Sequence, residues 1–202
     1  MAHKVLKEFS YSINLGLVGA EDSKKRIFLD YLKQIALKFT SEDLIWGFLF
    51  LFDGIPINLK AIIADSFEDL INRKVPFKKF DAIIIAANIY NDKSIDNIII
   101  ENYTKFSQRF MFDGISVLAC IDPFLILKKK PLNEWRINEF SLIQKTRELE
   151  LLYCFKIQNL QRDVKDVFDK ILNDIHFKLE FLNPELFERA KAYGRILSKD
   201  AF

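Results

Sequence analysis

The chain has 202 residues, 50% hydrophobic and 29% charged, a balance that excludes intrinsic disorder and a polyionic tail. Thirty basic residues face 28 acidic ones, and a net charge of +2 gives no support for broad nucleic-acid binding. Two cysteines, Cys120 and Cys154, make no disulfide framework and fit a reducing compartment. A chain of this length buries roughly 70% of its unfolded surface and needs no metal or disulfide staple. His3 and His176 are too few for a His-rich metal site, and no cofactor is expected. Met1 to Ser12 lacks the apolar centre of a signal peptide, and the longest apolar run, Leu44 to Phe52, is too short to span a bilayer. The expectation is a soluble intracellular domain.

In chain order, the first apolar run predicts a strand over 12–18. Ile27, Phe28, Tyr31, Leu32, Ile35, Ala36 and Phe39 recur at helical spacing and predict a helix over 24–38. Two apolar runs around the turn signal Asp53-Gly54 predict a hairpin over 44–64. Continuous apolar runs over 81–87, 115–121 and 150–156 predict strands buried on both faces. Helices are predicted over 95–111, with Ser94 as N-cap, over 132–148, and over 163–181, capped by Asp163. This alternation implies a three-layer α/β fold with a six-stranded, mostly parallel sheet. One antiparallel edge strand in such a sheet is the arrangement of the small-GTPase domain. Residues 1–182 form that domain in this reading, and 183–202 a helical extension.

After the first strand come Gly19-Ala20-Glu21-Asp22-Ser23-Lys24-Lys25-Arg26, where a phosphate-binding loop of pattern G-x-x-x-x-G-K-[ST] would stand. Gly19 is in place and Lys25 holds the lysine position. Lys24 replaces the second glycine, where the backbone must approach the ligand. Arg26 replaces the magnesium-binding hydroxyl, and Glu21 and Asp22 would repel a triphosphate. The D-x-x-G slot holds Asp65-Ser66-Phe67-Glu68, and of the N-K-x-D guanine motif only Asp122 survives. Lys156-Ile157-Gln158 replaces S-A-K, and neither Thr40 nor Ser41 makes a switch threonine. Cys120 and Cys154 read as buried small hydrophobes, His176 as a solvated or locally bonded side chain, and Lys128-Lys129-Lys130 as a solvated loop. No catalytic residue is assigned.

The run Asn14-Leu15-Gly16-Leu17-Val18-Gly19-Ala20-Glu21-Asp22 resembles the "L-L-V-G-T-E-D" opening of the centromere protein M family. Phe80 to Asn88 is similar to that family's "I-D-L-I-V-F-V-V-N" strand, Ser94-Ile95-Asp96-Asn97 to its "S-L-Q-N" helix start, and Leu151-Leu152-Tyr153-Cys154 to its "L-L-Y-C" strand. The set is collinear over about residues 13–180, while the hairpin 44–64 is longer and more apolar than the family pattern. The resemblance implies a nuclear pseudo-GTPase that neither binds nor turns over nucleotide. It implies a scaffold subunit of the inner kinetochore, with the helical-repeat centromere protein I and the coiled-coil centromere proteins H and K as partners. The alternatives are a divergent small GTPase, or a pseudo-GTPase of membrane traffic or ciliary transport. The ending Lys199-Asp200-Ala201-Phe202 lacks a prenylation signal, which weakens the traffic reading.

Beyond the last predicted crossover helix, Asn183-Pro184 reads as a helix start. Leu186, Ala190, Tyr193 and Leu197 then share one face, with Phe187 beside them. Two readings stand. The stripe packs on its own domain, or part of it, with Leu179, Phe181 and Leu182, stays open for a partner helix. The partner-binding residues named for the second reading are Leu179, Leu182, Leu186, Phe187 and Ala190.

Overall fold

A computed structural model of the chain describes residues 10–42, 44–72, 77–91, 100–126 and 138–200. β1 (Tyr11–Val18) leads through a 3-10 turn at Glu21–Ser23 into α1 (Ile27–Ile35). β2 (Lys38–Glu42), β3 (Ile45–Phe52) and β4 (Ile55–Ala64) follow, then α2 (Phe67–Asn72) and β5 (Ala82–Asn88). α3 (Ile100–Phe110) precedes β6 (Ile115–Ile121), a single helical turn at Pro123–Ile126 and α4 (Glu139–Glu148). β7 (Tyr153–Ile157), α5 (Leu160–Leu182) and α6 (Pro184–Asp200) complete the described elements.

The seven strands form one mixed sheet in the order β2-β3-β4-β1-β5-β6-β7. β4, β1, β5, β6 and β7 run parallel, while β3 is antiparallel to both β2 and β4. Alternation of side chains along each strand divides the core in two. Ile13, Leu15 and Leu17 of β1 face one way, into a cluster with α1, α5 and α6. Ile83, Ile85 and Ala87 of β5 face the other way, into a cluster with α2, α3 and α4. β6 is buried along its whole length, as its unbroken apolar run requires.

The predicted six strands are seven. β2 was read as the tail of the first helix, because Phe39 continued the stripe four residues beyond Ile35. The backbone turns extended at Ala36 (ψ 131°), and Phe39 stacks instead on Trp46 and Phe48 of β3, 5.6 and 5.4 Å between ring centroids. The helix therefore covers Ile27–Ile35 rather than 24–38. α2 was not anticipated; its six residues bury Phe67 and Leu70. α5 begins earlier than predicted, with Asn159 rather than Asp163 as its N-cap. The Asn159 carboxamide oxygen accepts from the Arg162 N–H, while one Asp163 carboxylate oxygen accepts from the Gln158 and Asn159 N–H groups. Burial acts to raise the Asp163 carboxyl, but those N–H groups and the Arg162 guanidinium hold it below its ordinary value. Ser94, Ile95 and Ile99 of the helix predicted over 95–111 lie outside the described residues, as do positions 132–137 of the next. The predicted boundary at residue 182 is a helix–helix junction. α6 packs on β4 and α5, and its Phe187 and Ala190 belong to the same core cluster as β1.

Candidate functional site

β1 delivers the loop of Gly19 to Arg26 to the C-terminal end of the sheet. Gly19 is required there, since a Cβ at that position would stand 2.2 Å from the Ala86 carbonyl oxygen of β5. The Ser23 N–H donates to the Ala20 carbonyl (3.1 Å) and the Lys24 N–H to the Glu21 carbonyl (3.4 Å). The Ser23 hydroxyl also donates to the Ala20 carbonyl, at 2.6 Å. These amides close the loop's own 3-10 turn and do not point out toward a phosphate. Lys24 sits in the left-handed region (φ 57°, ψ 28°), a conformation glycine adopts at less cost.

The lysine at the phosphate position is turned inward. The Lys25 side chain is 4% exposed, and its Nζ donates to the Gly19 carbonyl (2.5 Å) and to Asp65 Oδ1 (2.6 Å). Asp65 opens the segment expected to hold D-x-x-G, whose aspartate reaches magnesium in proteins with a working phosphate loop. The ammonium and carboxylate that would serve phosphate and metal thus serve each other. Arg26 is exposed at the start of α1. Asp22 accepts from the side-chain amides of Asn88 (3.1 Å) and Asn91 (3.3 Å), which ties the loop to the end of β5. The groove over this loop is lined by Glu21, Lys24, Lys25, Arg26, Asp30 and Asp65, three cations against three carboxylates. That balance gives a polyanion little net attraction.

Of the remaining nucleotide positions, Asp122 is engaged internally. Asp122 is buried and accepts from the Tyr90 hydroxyl (3.1 Å) and the Phe124 N–H (2.9 Å). Glu68, at the switch-glycine position, lies inside α2, and its neighbour Phe67 is fully buried. Thr40 and Ser41 are exposed residues of β2. Cys120 and Cys154 are free thiols; burial pushes the Cys120 thiol far up, and nearby Cys154 adds to the shift. Among the described residues no three His, Cys, Asp or Glu side chains gather as a metal site would need. No described helix is long and apolar enough to cross a membrane. His3 and Lys128-Lys129-Lys130 lie outside the described residues.

His176 is neither solvated nor locally bonded through Nε2, contrary to the sequence reading. It is buried edge-on between Phe52 (5.0 Å) and Phe187 (5.7 Å), and its Nε2 has no hydrogen-bond partner. Burial lowers its pKa, while Asp53 and Glu180 act to raise it and Lys191 to lower it further.

The residues named for partner binding divide. Phe187 is 7% exposed and Ala190 is 1% exposed, both packed in the core, so for them the self-packing reading holds. Leu186 is half-buried. Leu179 and Leu182 instead meet Leu152 and Ile175 around a groove of about 270 Å³, at the N-terminal ends of β5, β6 and β7. Leu182 is 66% exposed, Leu152 is also exposed, and Phe177 and Phe181 stand open on the same helix. Lys79 and Asp113 pair on the rim at 2.6 Å, and that contact holds the Asp113 carboxyl below its ordinary value. Leu152 and Ile175 were not named for this role. Leu152 lies within the run that predicts a buried strand, and Ile175 within the helix predicted over 163–181. No protein-family model matches the chain, and no curated protein matches it either.

Proposed function

We propose that this chain is a non-catalytic, small-GTPase-like scaffold subunit of the inner kinetochore, holding a helical-repeat partner of the centromere protein I kind within an assembly that includes centromere proteins H and K. The observation that carries the non-catalytic part is the closed triangle of Lys25, the Gly19 carbonyl and Asp65. A ligand phosphate would have to break that triangle and find replacement charge in a groove where cations and carboxylates already balance. The fold part is supported by a sheet that is parallel from β4 across to β7, with β3 antiparallel beside it. The kinetochore part is supported by the collinear resemblance to the centromere protein M family. A subunit without chemistry acts through its surface, and the apolar ledge of Leu152, Leu179 and Leu182 is the part of that surface suited to a partner helix.

Two measurements test the reading. Titration with GTP or GDP in magnesium is expected to leave the melting temperature unmoved. A bound ligand at 100 times its Kd would add about 2.7 kcal/mol, so binding would be plain. Replacing Lys24 with glycine and Arg26 with serine is expected not to create binding, because Asp65 still holds Lys25. Co-elution with the helical-repeat partner tests the scaffold role; Leu182→Glu is expected to abolish it while the melting curve stays put. A micromolar nucleotide isotherm, or failure of the unmodified chain to co-elute, would overturn the corresponding half.

A further inference from the structure

We propose that two copies of this chain associate through β2, joining their sheets edge to edge about a two-fold axis at Thr40. β2 is the outer strand of the sheet, and all five of its residues are exposed. An outer strand leaves every second pair of backbone N–H and C=O groups without a strand partner, and another strand is what satisfies them. The sequence says which strand. Lys38-Phe39-Thr40-Ser41-Glu42 is complementary to itself when run antiparallel. Pairing centred on Thr40 sets Lys38 opposite the second copy's Glu42, and repeats that ion pair at the other end by symmetry. Moving the register by one residue sets Lys38 against Ser41 and loses both pairs. A lysine on an edge strand ordinarily blocks pairing with other strands, whereas here the cation and the carboxylate are spaced to admit a copy.

The other face of the strand adds apolar cover. Phe39 is 41% exposed although it already stacks on Trp46 and Phe48, with Lys33 Nζ over the Phe39 and Trp46 rings. In the centred register the two copies' Phe39 rings become diagonal neighbours, a spacing within reach of aromatic side chains. Exposed Leu37 lies two residues before Phe39 in the chain. The opposite edge offers no such match. β7 is partly covered by α5, whose Lys170 lies over the Tyr153 ring and whose Asp174 accepts from the Tyr153 hydroxyl. Pairing β7 with itself about Phe155 would set Cys154 against Lys156, with no opposite charges facing. A five-residue seam is small, so the dimer belongs to the weak, transient class.

Sedimentation of the full chain, from low to high micromolar concentration in low salt, measures the association. Monomer–dimer exchange is expected, weakening as salt rises. Lys38→Glu alone or Glu42→Lys alone sets like charges opposite at both ends of the seam and is expected to weaken association about 10-fold or more. Mixing those two variants restores opposite charges at both ends, and so does the double swap K38E/E42K in one chain; both are expected to recover the dimer. Recovery on mixing is a result that misfolding cannot produce. A chain that remains monomeric throughout, a dimer that neither reversal weakens, or variants that associate no better mixed than alone would each overturn the proposal.

Discussion

At the C-terminal ends of β1, β4 and β5 the chain gathers Lys25, Asp65, Asp22, Asn88 and Asn91 and closes them on one another. At the N-terminal ends of β5, β6 and β7 it leaves Leu152 and Leu182 uncovered beside a groove. Parallel α/β sheets ordinarily bind small ligands at the first of these ends. At the first end three cations and three carboxylates share one groove, and exposed apolar area lies at the second. The two ends differ in kind: Lys25 of the loop is held by Asp65 and the Gly19 carbonyl, whereas Leu152 and Leu182 stand exposed among the described residues.

The contrast can be broken or sharpened by substitution. The largest effect is expected for Phe187→Glu, which buries a carboxylate in the core beside His176; a loss of about 3–5 kcal/mol or outright unfolding should appear in denaturant melts. Leu182→Glu, five residues earlier and exposed, should change stability by no more than about 0.5 kcal/mol in the same melts. If the two variants melt alike, the division between packed and open parts of this end is wrong.

At the polar end, Lys25→Ala removes the buried ammonium and leaves the Gly19 carbonyl without its donor. A loss of about 1–3 kcal/mol is expected, measured by thermal melting. A gain in stability would mean that the lysine is held there for a ligand at the fold's expense.

Acid should act on the apolar end through His176. Its pKa is lowered on folding, so the stability it contributes is complete above the ordinary histidine value and declines as pH falls below it, until the lowered folded value is passed. The slope from this one group is at most about 1.4 kcal/mol per pH unit. His176→Phe should flatten the stability profile between neutral and mildly acidic pH relative to the unmodified chain. An unchanged slope would assign the titration elsewhere. The smallest effect is expected for Lys24→Gly, which relieves a left-handed backbone but frees the unfolded chain, for a net gain below about 1 kcal/mol in the melt.

Much of this architecture was legible in the sequence, and the exceptions have physical causes. The runs at 81–87 and 115–121 declare themselves because strands buried on both faces cannot alternate. β2 did not, because a five-residue strand with one apolar side chain carries no period, and Phe39 happened to extend a helical one. The departure of the loop from the G-x-x-x-x-G-K-[ST] pattern is readable from Lys24 and Arg26. The grip of Asp65 on Lys25 was not, since nothing local to either residue reports a partner forty positions away. In α6 the stripe announced an apolar face but not what covers it. Phe187 flanks the stripe in the sequence and is named there for partner binding, yet it is packed in the core.

The seat of α6 carries a consequence for how the chain is made. A Cβ at Gly194 would stand 1.7 Å from the Gly54 carbonyl oxygen, so the helix backbone rests directly on the tip of the β3–β4 hairpin. That tip leaves the ribosome long before α6 does, and until α6 follows, part of the apolar face of β4 has no lid. The closing contact joins distant parts of the chain, and its loop-closure cost must be met before the contact stabilises anything. During synthesis the hairpin is therefore expected to expose that apolar area until α6 emerges, the kind of transient exposure that chaperones shield.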